Sequence, residues 1–200
     1  QTVTIVDTTS PELTMPEDVM ISAFSLEKQV EIGEAQAHDL ADSALTITND
    51  APDTFPLGDT VVTWNVSDEL GNSASSQQVI SVQPCGKPLS YYNQIFGTPA
   101  ADTIVGTEVA DLIFAFAGDD MIFGGEGNDC IIGGDGDDII FGNAGGDHLV
   151  GGEGNDILKG FSGDDKLTGG TGTDVIDGGD DFDVSYDSAS DIIIKCEEQL

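Results

Sequence analysis

A nine-residue unit recurs without a gap from Gly97 to Tyr186, and the sixth position of all ten copies is aspartate: Asp102, Asp111, Asp120, Asp129, Asp138, Asp147, Asp156, Asp165, Asp174 and Asp183. The most regular copies read GGEGNDCII (124–132), GGDGDDIIF (133–141) and GGEGNDILK (151–159). At so short a period each unit can bury an apolar face only against its neighbours, so the expected architecture is a solenoid. Position eight is Ile104, Ile113, Ile122, Ile131, Ile140, Leu149, Leu158, Leu167 and Ile176, with Ser185 breaking the series in the tenth copy. Alternation sends position eight inward and its two neighbours outward. The last three positions of each copy are therefore read as a short strand and the first six as a turn.

A turn that points its carbonyls inward needs residues at positive φ, which glycine adopts most cheaply. The turn glycines are Gly124, Gly125 and Gly127 in one copy and Gly133, Gly134 and Gly136 in the next. Gly142 and Gly145 follow, then Gly151, Gly152 and Gly154, Gly160 and Gly163, and Gly169, Gly170 and Gly172. Asn143 takes position two of the sixth copy, consistent with its tolerance of the left-handed region. If two copies make one coil, copies 18 residues apart stack, giving five coils and a roll ~24 Å long at the spacing of paired strands. One edge then carries Asp102, Asp120, Asp138, Asp156 and Asp174, and the other Asp111, Asp129, Asp147, Asp165 and Asp183. Two carboxylates ~5 Å apart repel by roughly 3 kcal/mol at an effective dielectric of about 20. Summed along both edges, this rivals the stability of a small domain. A divalent cation between neighbours reverses the sign. Calcium suits such a site because it accepts many oxygens in flexible geometry, carbonyls included, whereas magnesium demands tighter octahedral geometry. Zinc favours Cys or His, which do not cluster here.

The segment resembles the RTX family of calcium-binding β-rolls over about 90 residues. The resemblance implies that each ion lies between facing turns, held by position-six carboxylates and carbonyls of positions one to four. The pattern is strongest from Gly124 to Asp177. The first three copies depart from it, with Thr98 and Ala100, Thr107 and Val109, then Ala115 and Phe116 at turn-glycine positions, and Asp181 replaces glycine in the last copy. Position five often adds Asp or Asn (Asp119, Asn128, Asp137, Asn155, Asp164), expected to point outward as solvated surface.

Residues 8–84 differ in composition, rich in Val, Ile, Thr and Ser. Alternating segments at MISAF (20–24), ALTIT (44–48), TVVTWNV (60–66) and QQVISV (77–82) predict a small antiparallel sandwich with Trp64 in its core. The runs DTTSPELTMPEDV (7–19) and FPLGDTVVTWNVSDELGNSAS (55–75) resemble the HYR module, an immunoglobulin-like extracellular domain whose members imply adhesion or spacing rather than catalysis. Gln1–Asp7 (QTVTIVD) aligns without gaps on Gln77–Gln83 (QQVISVQ), so it reads as the last strand of a preceding module. Such a strand seeks an open sheet edge, and strand addition to a neighbouring molecule is one outcome. A disordered tail, an extra strand in its own module or a truncated array are others.

The formal charge is −33, with five Lys and no Arg. That excludes nucleic acid and anionic membrane as partners on electrostatic grounds. No apolar run approaches the roughly 20 residues needed to span a bilayer, and no secretory leader opens the chain at Gln1. The chain is accordingly read as a processed form or a piece of something longer. Cys85, Cys130 and Cys196 lack zinc spacing. Their odd number suggests one disulfide plus a thiol, or a bond between chains, with three unpaired residues as the alternative. Cys130 occupies an outward position of copy four. His38 and His148 lie in different modules and read as surface residues, and no nucleophile–base order recommends an enzyme. Asn65-Val66-Ser67 is a glycosylation sequon.

The expected fold is all-β: a small immunoglobulin-like β-sandwich followed by a right-handed parallel β-roll. The expected divisions are an N-terminal strand (1–7), a HYR-like module (8–84), a linker in which Tyr91, Tyr92 and Phe96 cover the first coil (85–96), a roll of ten nonapeptides (97–186) and a C-terminal cap (187–200). The expected function is extracellular, calcium-binding and structural or adhesive, with self-association into a fibre or surface layer. A secretion tail of a larger RTX toxin or hydrolase, and a ligand-binding adhesion module, stay open as alternatives.

Overall fold

The computed structural model describes residues 7–40, 44–186, 191–196 and 198–199. The strand expected over Gln1–Asp7 therefore lies, apart from Asp7, outside the described residues. The chain divides into two compact units, Gln1–Pro88 and Leu89–Leu200. Among the described residues the regular structure is strand throughout, apart from one turn of 3-10 helix at Leu89–Tyr91.

The first unit holds β1 (Glu12–Thr14), β2 (Val19–Ala23), β3 (Glu27–Lys28), β4 (Gln36–His38), β5 (Thr46–Asn49), β6 (Phe55–Pro56), β7 (Gly58–Ser67) and β8 (Ser73–Pro84). Its main sheet runs β2-β8-β7-β5, accompanied by the two-stranded pairs β1-β4 and β3-β6. The hairpin β7–β8 is the backbone of the unit, in register from Gly58↔Val82 to Ser67↔Ser73. Asp68 shapes its turn by accepting from the backbone N–H of Leu70 and of Asn72, an aspartate turn of the kind that fixes loop geometry locally. Period-two alternation puts Val62, Trp64 and Val66 of β7 and Ile80 and Val82 of β8 into the core, while Asn65 of the sequon is exposed. One pairing departs from the antiparallel expectation, because β2 runs parallel to β8. No hairpin turn joins those two strands, so nothing in the sequence forces the antiparallel direction.

Trp64 is buried as expected and brings a polar partner with it. Its indole N–H donates to Gln78 Oε1 at 3.1 Å. Gln78, 1% exposed, in turn donates through Nε2 to the carbonyls of Glu17 at 2.6 Å and Ile32 at 2.9 Å. One amide thus ties the hairpin to two loops.

The second unit begins with β9 (Asn93–Phe96), β10 (Thr103–Val105), β11 (Asp111–Ala117), β12 (Met121–Glu126), β13 (Cys130–Asp135), β14 (Ile139–Ala144) and β15 (His148–Glu153). It continues through β16 (Ile157–Ser162), β17 (Lys166–Thr171), β18 (Val175–Asp180), β19 (Val184–Ser185), β20 (Ile192–Ile194) and β21 (Glu198–Gln199). Two parallel sheets face each other, β10-β12-β14-β16-β18-β20 and β21-β19-β17-β15-β13-β11-β9. Consecutive strands alternate between the sheets, so strands in contact are 18 residues apart, as in Ile122↔Ile140 and Ile131↔Leu149. Position eight forms the core: Ile113, Ile122, Ile131, Ile140, Leu149, Leu158, Leu167 and Ile176 are all 0% exposed. Regular strands run six residues, not the expected three. Positions two and three also pair with their counterparts 18 residues away, as in Gly125↔Asn143 and Glu126↔Ala144, so the strand continues through the glycines and the corner shrinks to positions four to six.

The flanks are rungs of the same ladder. β9 pairs with β11 and β20 with β18, both parallel and in register, and Ile95 and Ile193 extend the core column. Phe96 stacks on Phe114 at 6.2 Å and on Phe116 at 6.3 Å. Tyr92 is buried, which pushes its phenol up to about 12, while Tyr91 is exposed. Cys130 is fully buried despite its outward register. Cys130 is disulfide-bonded, and the Cys196 thiol points at Ile194 O, 3.7 Å away. Gln78→Leu strands the indole N–H and two carbonyls, so thermal unfolding of the first unit is expected to show a loss of about 3 kcal/mol.

Candidate metal centre: two rows of buried aspartates

The corner after each strand sets the sixth-position aspartate against the next coil. In one row the backbone N–H of Asp102 donates to Asp120 Oδ1 at 2.7 Å, that of Asp120 to Asp138, Asp138 to Asp156 and Asp156 to Asp174, each at 2.8 Å. In the other row Asp111 donates to Asp129, Asp129 to Asp147, Asp147 to Asp165 and Asp165 to Asp183, at 2.7–3.0 Å. The membership of the rows is that expected from a two-copy coil. Every one of these aspartates from Asp111 to Asp183 is buried.

One oxygen of each carboxylate is thereby used. The other oxygen, Oδ2 of Asp120, Asp129, Asp138, Asp147, Asp156, Asp165 and Asp174, is sealed from solvent and accepts no hydrogen bond from the protein. Leaving such an atom unpaired in a dry site is costly. Position-one glycines explain where it points. A Cβ added at Gly124 would collide with Asp129 Oδ2 and come within 2.7 Å of Gly142 O in the next coil. At Gly133 it would meet Asp138 Oδ2 and, at 2.7 Å, Gly151 O, and at Gly151 it would meet Asp156 Oδ2 and, at 2.6 Å, Gly169 O. Gly142 and Gly160 repeat the arrangement with Asp147 and Asp165, and Gly169 brings its own space against Asp174. At Gly124, Gly133, Gly142, Gly151 and Gly160 a carboxylate oxygen and a carbonyl of the next coil border the same space.

This revises the reason for the glycines. Positions two and four do sit at positive φ, as at Gly125, Gly127, Gly134, Gly136, Gly145, Gly152, Gly154, Gly163, Gly170 and Gly172. Gly124, Gly133, Gly142, Gly151, Gly160 and Gly169 do not; they are needed for space. Asn143 takes the left-handed conformation as expected, and so, unexpectedly, do Phe116 and Phe161 at the same position and Asp181 at position four.

The energetic emphasis also shifts. Burial raises the carboxyl of Asp129 to about 7, of Asp138 to about 6, of Asp147 to about 8, and of Asp156 and Asp165 to about 7. The backbone N–H of the preceding coil opposes the rise, and like charge on neighbouring aspartates adds to it. Desolvation, ahead of repulsion, is what a cation has to offset. Among the described residues no three carboxylate, imidazole or thiol side chains converge. What the cradles offer is carboxylate and carbonyl oxygen, the oxygen-only chemistry that suits calcium.

Four features escaped the sequence reading. Position-five side chains are exposed, as expected, and are ladder elements as well: Asp119 Oδ1 accepts from Asp137 N at 3.1 Å, Asp137 from Asn155 N at 2.8 Å, Asn128 from Gly146 N at 3.0 Å, Asn155 from Thr173 N at 3.1 Å and Asp164 from Phe182 N at 3.1 Å. Asp191 continues the first row, accepting from Asp174 N at 3.1 Å; the D-x-Ile pattern of 191–193 was the available signal. Asn93 starts the second row, its Nδ2 donating to Asp111 Oδ1 at 2.6 Å. His148 is half-buried rather than freely solvated, and burial with the nearby Lys166 charge pulls it down to about 4.

A two-sheet parallel solenoid with an inward carboxylate and a glycine cradle at each corner defines a calcium-binding β-roll. Residues 96–129, 129–158 and 150–184 match the family model described as RTX calcium-binding nonapeptide repeat, and residues 6–82 match that of the HYR domain. The chain therefore carries RTX calcium-binding repeats preceded by a HYR domain. It is also similar to Hyalin of Lytechinus variegatus, 38% identical over 88 residues, which takes in 38% of this chain and 16% of that protein. The chain thus matches about a sixth of that relative's length.

A carboxyl whose folded pKa lies above its unfolded value stabilises the fold at low pH. That contribution declines from about pH 4 upward and is gone above the folded value. With calcium chelated, the β-signal of the roll in circular dichroism is expected to persist near pH 5 and to fall as pH rises through about 6 to 8. Saturating calcium is expected to flatten the profile.

Proposed function

We propose that calcium ions seated between successive coils order the roll, and that the ordered chain serves an extracellular structural or adhesive role. The carrying observation is the run of buried Oδ2 atoms with no protein partner, each facing a cradle that a methyl group would fill. In this reading the aspartates from Asp120 to Asp183 supply carboxylate oxygens. Position-one carbonyls such as those of Gly142, Gly151 and Gly169 complete the shell, together with carbonyls of the other turn glycines. The functional division follows the sequence blocks: a HYR module over 8–84, a joining segment over 85–96, the ion-holding roll over 97–186 and a terminal segment over 187–200. Neither matched family is catalytic. Among the described residues no helix is long and apolar enough to cross a membrane.

Extracellular calcium modules bind at millimolar levels. The roll then stays loose where calcium is scarce and stiffens where it is abundant. Self-association is part of the proposal. Its support is the β10–β20 sheet, where Val105, Met121, Ile157, Phe161, Ile192 and Ile194 are exposed on four of the six strands, apolar surface of the kind that marks interaction sites. Metal neutralisation of a chain at −33 removes the main barrier to bringing copies together.

Two measurements check this. Adding calcium to chelated protein at pH 7.5 is expected to raise β-structure over 97–186 and to increase sedimentation rate, while the first unit unfolds at the same temperature in both buffers. A roll equally compact and protease-resistant in chelator sinks the proposal. Gly151→Ala is expected to lower the calcium count per chain by at least one, read by native mass spectrometry, because the added methyl occupies the cradle of Asp156.

A further inference from the structure

The first coil differs from the rest in one respect that its repeat pattern conceals. Asp102 and Asp111 carry no orphaned oxygen. Thr98 donates to Asp102 Oδ2 twice, from its backbone N–H at 2.6 Å and from its hydroxyl at 2.8 Å. Thr107 does the same for Asp111 Oδ2, at 2.6 Å and 3.0 Å. Asn93 Nδ2 donates to Asp111 Oδ1 at 2.6 Å. In the later coils the equivalent Oδ2 atoms have no protein donor.

We infer that Thr98 and Thr107 take the place of a metal ion and make the first coil, residues 93–117, the metal-independent start on which the calcium-dependent coils are laid in order. The inference rests on the proposed calcium reading of the later coils and adds a direction to it. Three independent features support it. The carboxylates are already satisfied by protein donors, so burial leaves nothing for a cation to repair. The turn residues are cheaper to order: Thr98-Pro99-Ala100-Ala101 and Thr107-Glu108-Val109-Ala110 stand where later copies place paired glycines at φ near +120°. Glycine loses the most backbone freedom on folding, and proline brings a fixed φ. Side-chain packing contributes here without any ion. Phe96, Phe114 and Phe116 stack at 6.2–6.3 Å, and Leu112 and Phe114 are buried although they point away from the roll axis. A parallel strand needs a preformed neighbour because no hairpin turn brings it into register. An ordered first coil supplies that edge, and each further coil is added as its cation binds.

The test uses the full chain. Hydrogen exchange in EGTA at pH 7.5 is expected to be about tenfold slower or more for the amides of 103–117 than for those of 139–177. Equal rates overturn the inference. A second arm is the variant Thr107→Gly, Val109→Gly, Ala110→Asn, which gives copy two the run Gly-Glu-Gly-Asn-Asp found at 125–129. Native mass spectrometry in calcium is expected to count one more ion in the variant than in the wild-type chain, and the EGTA protection of 103–117 is expected to disappear. Equal, nonzero counts remove the threonine assignment alone, whereas a wild-type chain that holds no calcium removes the ion reading beneath it.

Discussion

The roll depends on a carboxylate shared between coils. From Asp120 onward a sixth-position aspartate spends one oxygen on the backbone N–H of the coil before it, and in the regular copies its other oxygen shares a cleft with a carbonyl of the coil after it. The first bond is ordinary and stabilising. The second relation sets oxygen against oxygen in a dry cleft and is tolerable only with a proton or a cation between them. Order in this half of the chain is therefore conditional. The apolar column of Ile and Leu provides the driving force common to any solenoid, while the carboxylates decide whether that force prevails.

The first unit shows the opposite strategy. Its buried polar groups are closed within the protein: Gln78 satisfies Trp64 and two loop carbonyls, and Asp68 satisfies the turn that joins β7 to β8. Hydrogen bonding holds Asp68 and Asp7 below the usual carboxylate range, against desolvation. In the roll the shift is upward, because one backbone donor does not balance burial. In the proposed reading, a unit whose polar groups are closed within the protein is followed by one whose carboxylates are completed by calcium.

Much of this was legible in the sequence because a strict period carries geometry directly. The 18-residue stack, the two aspartate rows and the inward column at position eight follow from counting. The burial of Trp64 and the strands β2, β5, β7 and β8 follow from alternation. What stayed hidden depends on distances between chain segments that no local pattern encodes. The reason for glycine at position one is a carboxylate five residues on and a carbonyl in the next coil, not its own φ. The ladder role of Asn128 or Asp137 requires knowing that the opposite N–H lacks a partner. Thr98 and Thr107 read as missing glycines, whereas their hydroxyls and N–H groups do the work of satisfying a carboxylate. Asn93 and Asp191 were concealed because they continue the rows outside the glycine pattern, the latter at a spacing of 17 instead of 18. The parallel pairing of β2 with β8 joins segments some 60 residues apart.

Pairing at an offset of 18 means that the gene can lengthen or shorten this half of the protein only in certain steps. Duplication or loss of two adjacent nonapeptides adds or removes a whole coil and leaves every remaining neighbour in place. Loss of a single nonapeptide moves all downstream strands to the opposite sheet, so that residues selected for one face appear on the other. The lineage of such a chain is thus expected to drift in length by even numbers of repeats, with each face keeping its own character.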